Sequence, residues 1–332
     1  MKRKLIKQGH NTTTVTLPIN WVKKLNLKSG DEVDVEEQGN SLIINGKESN
    51  QHKSTTLDIS DFTVPMIWRF FQPAYRQGYD EIKVAFNPDK KNFESVYHYY
   101  TTQFAYTKLG EKRPAKPAVD MIQELIDRFI GIEIMDIGKN YCIIKDMTEP
   151  TTKEYPNSLR RIFMIISNIF DRVITAIENN EIGDIKICKE LHTMDLNADR
   201  FIDYCCRILN KINDSAPQRK KASIFASLFI LELLSDEFKY IGVHLAKANK
   251  KVSDILPFGE KVREHFKLYE NLFYNFDRDL AIKFGKNDFS IYDEHSSWKK
   301  KIAGENKSIA GHLMQISKYL LCLVELRIEM ES

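Results

Sequence analysis

The sequence predicts a multi-domain α+β protein in three unequal parts: a short β head, a small α+β middle and an all-α C-terminal half. Three observations carry that reading. At 332 residues the chain is about twice a typical single domain. Apolar residues alternate with period two around one short helical run in the first fifty positions, and after Pro150 and Pro156 they recur at three- and four-residue spacing. Hydrophobic residues at 42% and charged residues at 29% are globular values, and no apolar run of about 18 residues stands out, so no membrane insertion is expected.

The head spans 1–50. Leu5-Ile6-Lys7 and Thr12 to Leu17 read as strands, the second stopped by Pro18. Asn20 is the expected N-cap of a helix through Trp21 to Leu25. Lys28-Ser29-Gly30-Asp31 is a turn, Val33 and Val35 mark a half-buried strand, and Gly39-Asn40 turns the chain into Ser41-Leu42-Ile43-Ile44. Fewer than fifty residues do not close a stable core alone, which predicts pairing with a second copy.

Charge separates the first thirty residues of this head from everything after them. Lys2, Arg3, Lys4, Lys7, Lys23, Lys24 and Lys28 precede the first acidic residue, Asp31, so a formal +7 sits in less than a tenth of the chain. The remainder has 42 basic against 46 acidic residues, and the overall +3 conceals the split. Clustered cations of this kind predict a polyanion partner, since they displace counterions from phosphates whatever the base sequence. The alternative is a solubilising cluster on a solvated face. Cys142, Cys188, Cys205, Cys206 and Cys322 have no CxxC spacing and read as reduced, packed thiols, and no apolar stretch follows the basic start. Both features predict a cytoplasmic protein.

The middle spans 55–150. Strands are expected at Leu57-Asp58-Ile59, Glu81 to Phe86, Ile132 to Met135 and Tyr141 to Ile144, the last two joined by a turn at Gly138-Lys139-Asn140. Helices are expected over Val64 to Tyr75, interrupted by Pro73, over Phe93 to Leu109, and over Val119 to Phe129. The order suggests a ferredoxin-like sandwich. Tyr97, His98, Tyr99 and Tyr100 are either base-stacking aromatics or, more simply, helix packing. No Gly-rich phosphate cradle, nucleophile elbow or metalloprotease motif occurs, and a non-enzymatic protein is expected.

The helical half spans 155–332. Leu159 to Ile177, Ile185 to Leu209 and Gln218 to Ala248 keep amphipathic spacing, and a second set follows a break at Leu256-Pro257-Phe258-Gly259, with a short helix over Phe289 to Ile302 and a last one from Ile309 to Leu326. Two sets of three helices form a weak internal repeat. Asp195, Asp199 and Asp203 lie four apart on one helix and Glu232 and Asp236 four apart on the next. Such carboxylates repel unless a cation or a basic partner compensates, and antiparallel neighbours can converge on a metal. The alternative is an ordinary solvated helix face.

Two resemblances add to this. Leu17-Pro18, the short helix with Lys23-Lys24, then Leu27-Lys28-Ser29-Gly30-Asp31-Glu32-Val33 and Leu42-Ile43-Ile44 resemble the AbrB/MazE/SpoVT swapped-hairpin DNA-binding domain over residues 1–47. That resemblance implies a homodimer of interleaved hairpins on double-stranded DNA, with Arg3 in the first strand and Lys23 on the helix as contacts and Lys4, Lys7 and Lys24 in support. Lysines where relatives carry arginines act as point charges rather than planar forks. Glu232-Leu233-Leu234-Ser235-Asp236 and Asp195-x-x-x-Asp199 resemble the E-x-x-x-D motif of the PhoU phosphate-uptake regulators, which are paired three-helix bundles. This implies a divalent or ferric metal ion on Asp195, Asp199, Glu232 and Asp236, although Leu233 and Ser235 depart from the motif and Met314 and Lys318 stand where a second site belongs. Heads and bundles of these two kinds occur fused in an archaeal-type composite. The implied function is regulation of phosphate uptake or signalling; the competing one is a non-DNA-binding adaptor for a phosphate transporter ATPase or sensor kinase.

Overall fold

The computed structural model describes residues 2–38, 41–46, 52–89, 116–148, 153–211, 218–298 and 302–331. They form two compact units, Met1–His52 and Lys53–Ser332. The expected helix over 93–109 and the aromatic cluster at Tyr97 to Tyr100 lie outside the described residues.

The first unit is two hairpins around one helical turn and a half. β1 (Ile6–Gln8) pairs antiparallel with β2 (Thr12–Thr14), and β3 (Asp34–Gln38) pairs with β4 (Ser41–Asn45). Gly9 at φ 78° makes the first turn. The second strand stops at Thr14, three residues short of the expected Leu17, and Arg3 precedes β1 rather than lying in it. α1 (Ile19–Lys24) is capped by Pro18, whose carbonyl accepts from the amides of Trp21 and Val22, so Asn20 is inside the helix and is not its cap. Proline suits that place because its extended backbone leads into the first turn. Lys23 and Lys24 close the helix, where cations favour the C-terminal dipole.

The second unit begins with a four-stranded mixed sheet in the order β5 (Ser54–Asp58), β6 (Glu81–Ala85), β8 (Tyr141–Asp146), β7 (Ile132–Ile137). β5 and β6 are parallel through the crossover helix α2 (Val64–Arg76), and the other pairs are antiparallel. This corrects the ferredoxin-like expectation. That arrangement needs a hairpin in the middle of the chain order, whereas here the hairpin, β7–β8, comes last. α2 also runs through Pro73 to Arg76 without interruption. Its buried face, Ile67, Phe71 and Tyr75, joins Ile82, Val84, Cys142 and Ile144 of the sheet and Met121, Ile122 and Leu125 of α3 (Ala118–Ile126).

Among the described residues six longer helices follow: α4 (Glu154–Glu178), α5 (Ile185–Lys211), α6 (Gln218–Lys247), α7 (Leu256–Tyr274), α8 (Arg278–Trp298) and α9 (Glu305–Glu329). They fall into two sets of three that share one apolar core, with α6 along α9 and α4 along α7. Close approach depends on glycine at two places: a Cβ on Gly242 would come within 3.2 Å of the Cys188 backbone, and one on Gly259 within 2.9 Å of Ile174. Leu256 to Gly259 is therefore the start of α7 and not a break. α8 begins eleven residues before the expected Phe289, because its first half buries only Phe284 and so lacks a readable stripe. Among the described helices, α9 alone is long and apolar enough to cross a membrane, and half of its most apolar window is buried against its neighbours in the bundle.

The expected boundary near residue 150 lies inside this unit. Tyr204 and Ile208 of α5 belong to the core of the sheet, and Arg207, wholly buried, donates to the carbonyls of Tyr75 (2.6 Å) and Tyr79 (2.8 Å) and pairs with Asp146 at 2.5 Å.

Candidate carboxylate site and nucleic-acid face

The i, i+4 ladder of α5 and the matching pair on α6 face one another where α2 crosses them. Two groups result. In the first, Asp203 and Glu232 are held by one residue of α2: Arg76 reaches Asp203 through Nε at 2.5 Å and Glu232 through Nη2 at 2.5 Å. Gln72, one turn earlier, donates to Asp203 Oδ1 at 3.2 Å and to Glu232 Oε1 at 3.4 Å. Burial still lifts the Asp203 carboxyl to about 6, against the pull of Arg76. Burial opposes the charge of Arg76, but Asp203 and Glu232 outweigh it and hold the guanidinium pKa above its ordinary value.

In the second group, ligand oxygens of Asp195, Asp199 and Asp236 lie within 4.8 Å of one another. Lys239, one turn beyond Asp236, puts its ammonium against Asp236 and 3.0 Å from Asp195 Oδ2. Ser235 donates to Asp195 Oδ1 at 2.7 Å. Arg128, stacked 4.0 Å over Trp68, brings Nη2 to 3.9 Å from Asp199. Burial and then the neighbouring Asp195 push the Asp199 carboxyl well above the usual range, and burial raises Asp236 too. Burial disfavours the Lys239 charge, but Asp195, Asp199 and Asp236 together hold its pKa up. Two buried acceptors, Asp195 Oδ2 and Asp199 Oδ1, make no hydrogen bond to a described residue, so the ammonium serves Asp195 Oδ2 as an ion-pair partner.

Of the four expected metal ligands, three converge and Glu232 is drawn off to Arg76. A metal ion bonded to the three remaining carboxylates would stand where the ammonium stands, since metal–oxygen bonds of about 2.0–2.6 Å place it among the same oxygens. The donor set does not fit a resident metal while Lys239 is in place. The position expected for a second site holds buried Met314 and exposed Lys318, and among the described residues no other carboxylate group of this kind forms.

Lys239, Arg76, Gln72 and Arg128 were not among the expected site residues. Lys239 had a signal, three and seven residues after Asp236 and Glu232 on one helical stripe. The others come from 67 or more residues away in the chain and had none. Ser235, a departure from the PhoU motif, earns its place as the donor to Asp195.

In the head, Arg3, Lys4, Lys7, Lys23 and Lys24 are all exposed and make no ion pair with another described residue. No described side chain over 2–46 is fully buried, and Leu5, Ile6, Ile19, Val35 and Leu42 are open.

Residues 6–51 match the family model described as antidote-toxin recognition MazE, bacterial antitoxin. No curated protein matches the chain. Among solved structures, the crystal structure of PhoU from Pseudomonas aeruginosa aligns at 15% identity with a TM-score of 0.39, covering 54% of this chain and 96% of that one.

Proposed function

We propose that the chain is a homodimeric, cytoplasmic, non-enzymatic DNA-binding regulator of phosphate uptake or phosphate signalling. The head would bind double-stranded DNA through Arg3, Lys4, Lys7, Lys23 and Lys24, and the sheet-and-helix body would carry the signal. The observation that carries the reading is a module whose first thirty residues hold seven cations and no acid, and which has no fully buried side chain among its described residues. Two-stranded hairpins are marginal alone, so interleaving with a second copy supplies the missing core for Leu5, Ile6, Val35 and Leu42. The MazE match over 6–51 supports the same assignment. The phosphate half rests on the resemblance of 231–236 to the PhoU motif and on the facing of those residues by the α5 carboxylates.

Gel shift of the full chain on duplex DNA over a salt series tests it. Binding that weakens steeply with salt, and that Arg3→Ala with Lys23→Ala abolishes, is the expected result. Salt-insensitive or absent binding overturns it. A second reading, an adaptor docking on a transporter ATPase or sensor kinase, is favoured by the open apolar stripe Ile282, Phe289 and Tyr292 on α8. Removing residues 1–50 separates the two, since an adaptor keeps its partner and a regulator loses DNA.

A further inference from the structure

We propose that Lys239 is the resident cation of the Asp195–Asp199–Asp236 site, a tethered ammonium that keeps these carboxylates closed to divalent and ferric ions. The helix itself supplies it. Lys239 follows Asp236 by three residues, so both project from the same face of α6 onto Asp195 and Asp199 of α5. An ammonium has three donors and no acceptor, which matches a pocket of carboxylate oxygens. Its side chain is 14% exposed, and Asp195 is wholly buried, so the ion pair is held inside the protein and not on its rim.

The surroundings are completed the same way. Ser235 takes the other oxygen of Asp195, Arg128 approaches Asp199, and Arg76 with Gln72 removes Glu232 and Asp203 from the donor pool. Three carboxylates thus face two cations of the chain, Lys239 and Arg128. A metal would have to expel Lys239 from a buried seat before it gained its third oxygen. The carboxylates themselves remain competent ligands, and removal of the ammonium is what opens the site.

Two measurements test this on the full-length protein, independently of whether the head binds DNA. Dialysed against EDTA and then exposed to Mn²⁺, Zn²⁺ or Fe³⁺, the wild type is expected to carry no stoichiometric metal by elemental analysis and to keep one melting temperature throughout. Lys239→Met, which retains the apolar stem, is expected to bind Mn²⁺ at least about tenfold more tightly than the wild type and to melt higher with it, a gain of ~1.4 kcal/mol in binding. Adding Asp195→Asn is expected to remove that gain. Stoichiometric metal in the dialysed wild type overturns the proposal, as does a folded Lys239→Met variant indifferent to Mn²⁺. If Lys239→Met does not fold, the wild-type metal content decides alone.

Discussion

The head and the body treat charge in opposite ways. In the head, the cations from Lys2 to Lys28 are exposed with no acidic counterpart before Asp31, and no described side chain beneath them is fully buried. In the body, the acids clustered between sheet and helices are buried or half-buried and each cluster is met by a cation of the same chain: Arg207 and Lys211 on Asp146, Arg76 on Asp203 and Glu232, Lys239 on Asp195 and Asp236. An exposed, unanswered charge gains most from an external partner, whereas a buried pair has already exchanged its water for its neighbour. The difference fits the proposed function, in which the head's cations meet DNA while the body's buried pairs hold the sheet to the helices.

The strongest way to break that contrast is to remove one internal cation. Arg207→Met leaves Asp146, 2% exposed, with Lys211 as its remaining cation, and takes a donor from the carbonyl of Tyr79 and from that of Tyr75, which keeps the Gly78 amide. Removing one partner of a buried pair costs up to about 3–5 kcal/mol when the other charge is left alone, and Lys211 makes that the upper limit here. Denaturant unfolding followed by a signal from the body is expected to show a lower midpoint with an unchanged slope. A change under about 1 kcal/mol, the range of exposed ion pairs, would mean that the internal pairs do not hold the sheet to the helices.

A smaller effect comes from His192, one turn before Asp195. Both ring nitrogens are buried without a hydrogen-bond partner among the described residues, and burial, then Lys239 and Arg128, hold its pKa down to about 3. The unfolded ring titrates near 6.5. Between those values the unfolded state binds the extra proton, so His192 withdraws stability as pH falls through 6.5, by about 2 kcal/mol at pH 5. Asp203, lifted to about 6, acts the opposite way, gaining its proton in the folded state first. The difference between wild type and His192→Phe isolates the ring: it is expected to shrink in the wild type's disfavour from pH 7 to pH 5. A pH-independent difference would show a protonated or solvated imidazole.

How much of this was legible in sequence follows from how local each signal is. The helices of the body were readable because the stripe from Leu159 to Ile177 repeats within one helix, and α8 was half missed because Phe284 is its only buried side chain before Ile291. Strands 81–85 and 141–146 were readable, but their adjacency was not, since alternation identifies a strand and says nothing of its neighbour. Facing carboxylates were visible as i, i+4 pairs. Arg76 was invisible as their partner because 127 residues separate it from Asp203. Pro18 was read as a stop and is also the cap, a double role that the side-chain capping rule does not capture.

The finest test compares one lysine from each region. Lys23 is exposed at the end of α1 with no ion-pair partner among the described residues, while Lys145, also exposed, pairs with Glu81 at 3.3 Å across the strands. Each phosphate a cation neutralises contributes about 0.9 to the slope of log K against log salt. Lys23→Ala is therefore expected to lower the slope of duplex binding by about 1 and to weaken binding alike on all sequences, and Lys145→Ala to leave both unchanged. Equal effects from the two would mean that DNA follows the whole surface potential and not the head, and the division of labour between the two regions would fail at its smallest unit.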